Sequence, residues 1–108
     1  MTHPNRAKGN QFERDCRDYL LSKGVFCERI PAGATNDLGD LWLPDGPVVQ
    51  CKNHARLDLA GWMDETLEQM HNAGRAMAWV AVKRRGKGVE RAYLVTELGL
   101  GWHLLGES

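Results

Sequence analysis

Apolar residues recur along this chain with two different periods. Phe12, Cys16, Tyr19 and Leu20 fall three or four apart, which predicts an amphipathic helix over residues 10–23 with Asn10 as N-cap and Gly24 as stop. Leu59, Trp62, Met63, Thr66, Met70 and Ala73 repeat in the same way and predict a second helix over 59–73, stopped by Gly74. Between the helices the period drops to two. Residues 25–30 read as a strand, and LGDLWLPDGPVVQCKN, residues 38–53, reads as a hairpin. Its strands are 41–43 and 48–51, around a turn built on Pro44, Asp45, Gly46 and Pro47. The run MAWVAV, 77–82, is too continuously apolar for a half-exposed strand and reads as a central one. Residues 92–96 give a further strand, and 97–105 a short turn with a last extended piece. Residues 1–8 read as a loose arm and 31–36 as a loop. The order α-β-β-β-α-β-β predicts an α/β fold with a mixed β-sheet flanked by helices. A chain of 108 residues suits one domain spanning 1–108.

The hairpin carries a polar oddity. Alternation puts Val49 and Cys51 on one face and Val48, Gln50 and Lys52 on the other. An amide and an ammonium side by side on a buried strand need partners or a task. Asp40 stands just before the first hairpin strand, and Glu13 lies beside the apolar stripe of the first helix. Each has a plain account by itself. Glu13 can pair with Arg17 one helical turn on, Asp40 can close a turn, and Lys52 can extend its stem along the surface.

Composition narrows the classes. Hydrophobic residues at 43% and charged residues at 26% argue for a globular chain and against disorder. No run approaches the length of a membrane span, and MTHPNRAKGN has no apolar signal region, so no membrane association and a cytoplasmic location are expected. Cys16, Cys27 and Cys51 form no closely spaced pair and suit neither a disulfide framework nor, with the four histidines, a zinc site. They are expected as reduced, buried thiols. Fourteen basic and fourteen acidic residues cancel, so any nucleic-acid contact must come from local patches. Lys83, Arg84, Arg85 and Lys87 make one such cluster, and Arg6 and Lys8 add charge near the N-terminus. The plain account of the cluster is a solvated hairpin tip.

Taken together, the polar positions resemble the PD-(D/E)XK nuclease superfamily, and more narrowly the small archaeal and phage Holliday junction resolvases. Gly9-Asn10-Gln11-Phe12-Glu13-Arg14 is similar to that family's G-x-x-x-E-R in the first helix. Gly39-Asp40-Leu41-Trp42 resembles the aspartate that opens its second strand, and Gln50-Cys51-Lys52 stands where it has E-x-K in the third. Gln69, in Leu67-Glu68-Gln69, matches a glutamine common in its second helix. The likeness covers residues 9–96. It departs at Gln50, where the family usually has a second carboxylate. A neutral oxygen there removes one negative charge and should weaken metal binding.

The resemblance implies a restriction-endonuclease-like fold and a metal-dependent DNA endonuclease acting on branched DNA. Asp40, Gln50 and the backbone carbonyl of Cys51 would hold Mg²⁺, with Mn²⁺ as a substitute. Glu13 would complete the shell or accept a proton, and Lys52 would sit beside the attacking water. A four-way junction is cut at two symmetric strands, which suits a homodimer. Trp62, Met63, Trp79 and Trp102 are expected either in the core or on the dimer patch. Two alternatives stand beside this reading. One is another nuclease of the same superfamily, of flap, mismatch or restriction type. The other is a DNA-binding protein whose site has decayed, with Gln50 as the scar.

Overall fold

The computed structural model describes residues 4–31 and 39–106. Its elements run α1 (Pro4–Ser22), β1 (Glu28–Arg29), β2 (Leu41–Trp42), β3 (Val48–Lys52), α2 (Leu59–Ala73), β4 (Ala78–Val82), β5 (Tyr93–Val95) and α3 (Leu98–Leu105), with a 3-10 turn at Val89–Arg91 before β5. The five strands lie in sequence order across one mixed sheet. β1, β2 and β3 pair antiparallel, β3 and β4 pair parallel, and β5 returns antiparallel to β4. The parallel step needs a crossover, which α2 supplies.

The two long helices cover opposite faces. Phe12 and Cys16 of α1 pack with Leu41, Val49, Cys51 and Ala81. Trp62 and Met63 of α2 pack with Ala78, Val80 and Val82. The central strands β3 and β4 are therefore covered on both sides, which is why MAWVAV carries no polar residue. Close packing of apolar side chains against both faces of one sheet is what holds a domain of this size together.

Sequence patterning places α2 at its observed bounds. Asp58 caps its start by accepting from Gly61 N at 3.0 Å, and Gly74 ends it in the left-handed conformation, φ 65°. Three expectations need correction. The arm expected over residues 1–8 is helical from Pro4, because proline is favoured in a first turn and Gly9 is tolerated inside; Asn10 is thus mid-helix and no N-cap. The strand expected over 25–30 shrinks to two residues, with Val25 and Phe26 exposed. The tail expected as a turn and an extended piece is the helix α3. The alternating Leu98, Leu100, Trp102 and Leu104 imitate a strand, but only Leu100 packs on the α2-side core. The loop expected over 31–36 lies, past Pro31, outside the described residues. Among the described residues no helix is long and apolar enough to cross a membrane.

Candidate active site

Alternation along β3 aims its groups in four directions. Val48 N donates to Met77 O, and Lys83 N donates to Lys52 O, so the backbone groups of the even residues face β4. Asp40 N donates to Val49 O, so the odd residues face the β2 side. β2 ends its pairing at Val49, and beyond it the carboxylate of Asp40 takes over: Oδ2 accepts from Cys51 N at 2.7 Å. N–H and C=O of one strand residue point the same way, so the Cys51 carbonyl also faces Asp40. Gly39 makes this approach possible. A Cβ there would lie 2.7 Å from Val48 Cγ1 and 3.2 Å from Val49 O, at a φ of 94° that favours glycine.

The side chains of Gln50 and Lys52 point to α2, as their alternation predicts. Gln50 is 4% exposed. Its Oε1 accepts from Thr66 Oγ1 at 2.6 Å, and its Nε2 donates to the carboxylate of Glu65. Lys52 Nζ lies 3.3 Å from the same Glu65 oxygen. Glu65 is half-exposed, so the pair opens to solvent at one end. Gln69 lies one turn further along α2, 2% exposed, and its Oε1 would be 3.5 Å from a Cβ on Gly39. Gln50, Thr66 and Gln69 are the buried polar side chains of the described residues, and all three line one seam between β3 and α2.

Burial dominates the electrostatics of Asp40. Desolvation pushes its carboxyl up to about 6, and Glu13 and Glu65 push in the same direction. The Cys51 N–H and the Lys52 ammonium act against them. Asp40 therefore feels both glutamates although they come from helices on opposite faces of the sheet. The thiol of Cys51, on the α1 face, is raised by its hydrogen bond with Cys16 and by burial. Cys27 is raised chiefly by burial.

Four of the sequence-predicted residues gather here: Asp40, Gln50, Cys51 and Lys52, with Gln69 beside them. Glu13 stands apart. Its carboxylate pairs with Arg29 of β1 at 3.1 Å, in place of the Arg17 partner expected, while Arg17 pairs with Asp18. Gln50 differs in detail from expectation, since its carbonyl oxygen is turned into the interior toward Thr66 and its NH₂ faces the site. Sequence reasoning misses Glu65. A signal for it exists: it lies three residues after Trp62 and four before Gln69, on the border of the inward face. Thr66 reads as one member of an apolar repeat and is instead the polar partner of Gln50.

The basic cluster follows directly on β4 and starts beside Lys52, whose carbonyl accepts from Lys83 N. Lys83 Nζ donates to the carbonyls of Arg84 and Lys87, at 3.2 and 2.7 Å, and so braces its own turn. The Arg84 guanidinium sits 4.8 Å from the Tyr93 ring, and Arg85 and Lys87 are exposed. Lys8 is exposed on α1, and the Arg6 side chain lies outside the described residues. Trp62 and Met63 fill the core at 7% exposure and are not on a dimer patch; Trp79 is half-buried and Trp102 exposed. An apolar cleft of about 350 Å³, lined by Tyr19, Leu43, Trp79 and Leu94 among others, opens on the α1 face, opposite Gln50 and Lys52.

Among the described residues no three His, Cys, Asp or Glu side chains form a ready ligand group. The site offers two carboxylates and a backbone carbonyl as hard oxygen donors, with the Gln50 NH₂ and the Lys52 ammonium alongside. Such a set can take a small hard cation that keeps most of its waters, or can hold a water between Lys52 and Glu65. Comparison with protein-family models, with curated proteins and with solved structures returns no match.

Proposed function

We propose that this protein is a metal-dependent, structure-specific DNA endonuclease of the restriction-endonuclease-like kind, a Holliday junction resolvase in its most specific form. The observation that carries the reading is the Lys52–Glu65 pair at the end of β3, next to the Cys51 N–H that the Asp40 carboxylate accepts from. Glu65 supplies from α2 the carboxylate that residue 50 lacks, so the charge missing from the strand is present in the site.

The donor set fits Mg²⁺. Oxygen ligands, one or two carboxylates and room for waters are what that ion takes. A desolvated Asp40 carboxyl with two glutamates in range is a position where a cation relieves repulsion. Asp40, Glu65 and the Cys51 carbonyl are the residues that would hold it, with Glu13 reaching in only by leaving Arg29. Bound there, the ion would polarise the scissile phosphate and lower the pKa of a water. The chain does the rest. Lys52 orients the attacking water and offsets charge developing on the phosphate, and Glu65, half in solvent, is placed to take its proton. Arg85, Lys87 and Lys8 are exposed charges and Arg84 a half-buried one, suited to phosphates along branched DNA.

A homodimer would draw on Leu94 of β5 and on Leu98, Trp102 and Leu105 of α3, apolar side chains more than half exposed. Light scattering on the purified protein measures the mass, and a monomer at micromolar concentration removes this part. The activity is tested by offering four-way junction, flap, duplex and single-stranded DNA with Mg²⁺ or Mn²⁺. Cleavage of the junction in preference to duplex is expected. Binding without cleavage in either metal would leave a DNA-binding protein in its place.

A further inference from the structure

Thr66 is 0% exposed, and its hydroxyl oxygen lies 2.6 Å from two carbonyl oxygens, Trp62 O in its own helix and Gln50 Oε1 on β3. A hydroxyl carries one proton and can donate to only one of them. Two arrangements follow, each with the Thr66 hydroxyl and the inner end of the amide bonded. In the first, Thr66 donates to Gln50 Oε1, and Gln50 Nε2 donates to Glu65. In the second, Thr66 donates to Trp62 O, a common bond from a helical threonine to the preceding turn. Gln50 is then turned end for end, its Nε2 donates to Thr66 Oγ1, and its Oε1 takes the place beside Glu65. The two ends of an amide are nearly equal in size, so the turn displaces no neighbour.

The two arrangements differ in what they present to the site. The first aims an N–H at the Glu65 carboxylate and is complete without any ion. The second sets an amide oxygen against a carboxylate oxygen, two acceptors that need a cation between them. We propose that Thr66 is a positioning residue whose single hydroxyl proton lets Gln50 turn its carbonyl oxygen toward a divalent cation held by Asp40 and Glu65. This rests on the metal-dependent reading above and adds to it a specific role for a buried residue on the far side of the amide. Gln50 then acts as a metal ligand when the ion is present and as a hydrogen-bond donor to Glu65 when it is not.

The test follows the amide itself. In ¹⁵N-labelled protein, the side-chain NH₂ resonances of Gln50, identified by their loss in Gln50→Leu, are expected to shift on Mg²⁺ addition with the midpoint of metal binding. Thr66→Val keeps the side-chain volume and removes the hydroxyl, so the metal-bound orientation would bury an amide N–H without an acceptor, a costlier orphan than the carbonyl oxygen buried in the metal-free orientation. Its Mn²⁺ affinity, read by calorimetry, should fall about tenfold, the size usual for a partner behind a ligand. Thr66→Ser should return it to within about twofold of wild type on the same scale. Stationary Gln50 resonances in metal-saturated wild type, or wild-type Mn²⁺ affinity in a folded Thr66→Val, would overturn the proposal and leave the metal site standing. Absence of any Mn²⁺ binding by the wild type would remove the metal reading and this role together.

Discussion

One strand, β3, has two unlike faces. Toward α1 it presents Val49 and Cys51, which meet Phe12, Cys16, Leu41 and Ala81 in a cluster built from hydrocarbon and thiol. Toward α2 it presents Gln50 and Lys52, which meet Thr66 and Glu65. Both faces hold buried side chains, yet only the second carries buried polar ones. Each buried polar group costs free energy unless it is bonded, and the bonds return only about 1 kcal/mol apiece. A leucine in place of Gln50 would fill the same seam at no such cost. The α1 face is therefore where the fold is stabilised, and the α2 face at this end of the sheet is where stability is set aside for charge and hydrogen bonding.

The sharpest way to break this contrast is to mutate each face and read both stability and cleavage. Asp40→Asn and Lys52→Ala should each cut junction cleavage by about a hundredfold or more while leaving thermal unfolding cooperative. A mutant of either kind that cleaves near the wild-type rate would take its residue out of the chemistry. Phe12→Ala is the opposite case. It empties a fully buried site and should cost about 3–5 kcal/mol in denaturant unfolding, with the Mg²⁺ midpoint of cleavage unchanged where the protein remains folded. A shifted midpoint would mean the two faces are not separable.

Smaller effects sharpen the picture. Gln50→Glu places a second carboxylate against Glu65; without metal it should lose on the order of 2 kcal/mol, and Mg²⁺ should restore melting and support cleavage at lower concentration. Equal melting with and without Mg²⁺ would show that residue 50 does not face the ion. Asp40 gives a pH signature in metal-free protein. Its carboxyl moves from 3.8 to about 6 on folding, so the folded state keeps a proton that the unfolded chain has lost between those values. Its contribution to stability is thus complete below about 4 and lost as pH rises through about 6. Asp40→Asn should flatten that decline and gain about 1–2 kcal/mol at pH 7, less than the full shift because an amide oxygen bonds Cys51 N–H more weakly. Urea unfolding from pH 4 to 8 in a chelator measures both curves, and parallel curves would contradict the assignment. Least of all, changing Arg84 and Arg85 to alanine should lower the slope of log K against log salt for junction binding by roughly one unit for each phosphate no longer neutralised. An unaltered slope would point to α1 around Arg6 and Lys8.

Much of this contrast is legible in the sequence because it depends on period alone. Val49 and Cys51 against Gln50 and Lys52 follow from a two-residue repeat, and α2 follows from its apolar spacing with Gly74 after it. What period cannot carry is the partner of each polar group. Glu65 looks like a solvated helix charge, and only the packing of α2 across β3 brings it to Lys52. Thr66 fits an apolar repeat by size, and its hydroxyl acquires meaning from Gln50, sixteen residues earlier. At the tail, a Leu-Gly-Leu-Gly alternation argues for a strand, and tertiary packing through Leu100 overrides it. The Arg29 partner of Glu13 depends on where a two-residue edge strand comes to rest, which no local pattern encodes.

The thiols lead to a practical consequence. Cys16, Cys27 and Cys51 are all buried, and the Cys51 thiol, bonded to Cys16 and held protonated, sits directly behind the carbonyl that faces Asp40. A protonated, sequestered thiol does not react with alkylating reagents. Modification of Cys51 must then wait for α1 to lift from β3, and its rate counts how often that happens. The chain thus carries its own chemical clock for the opening of the strand on which the candidate site is built, read by mass spectrometry without any label or substitution.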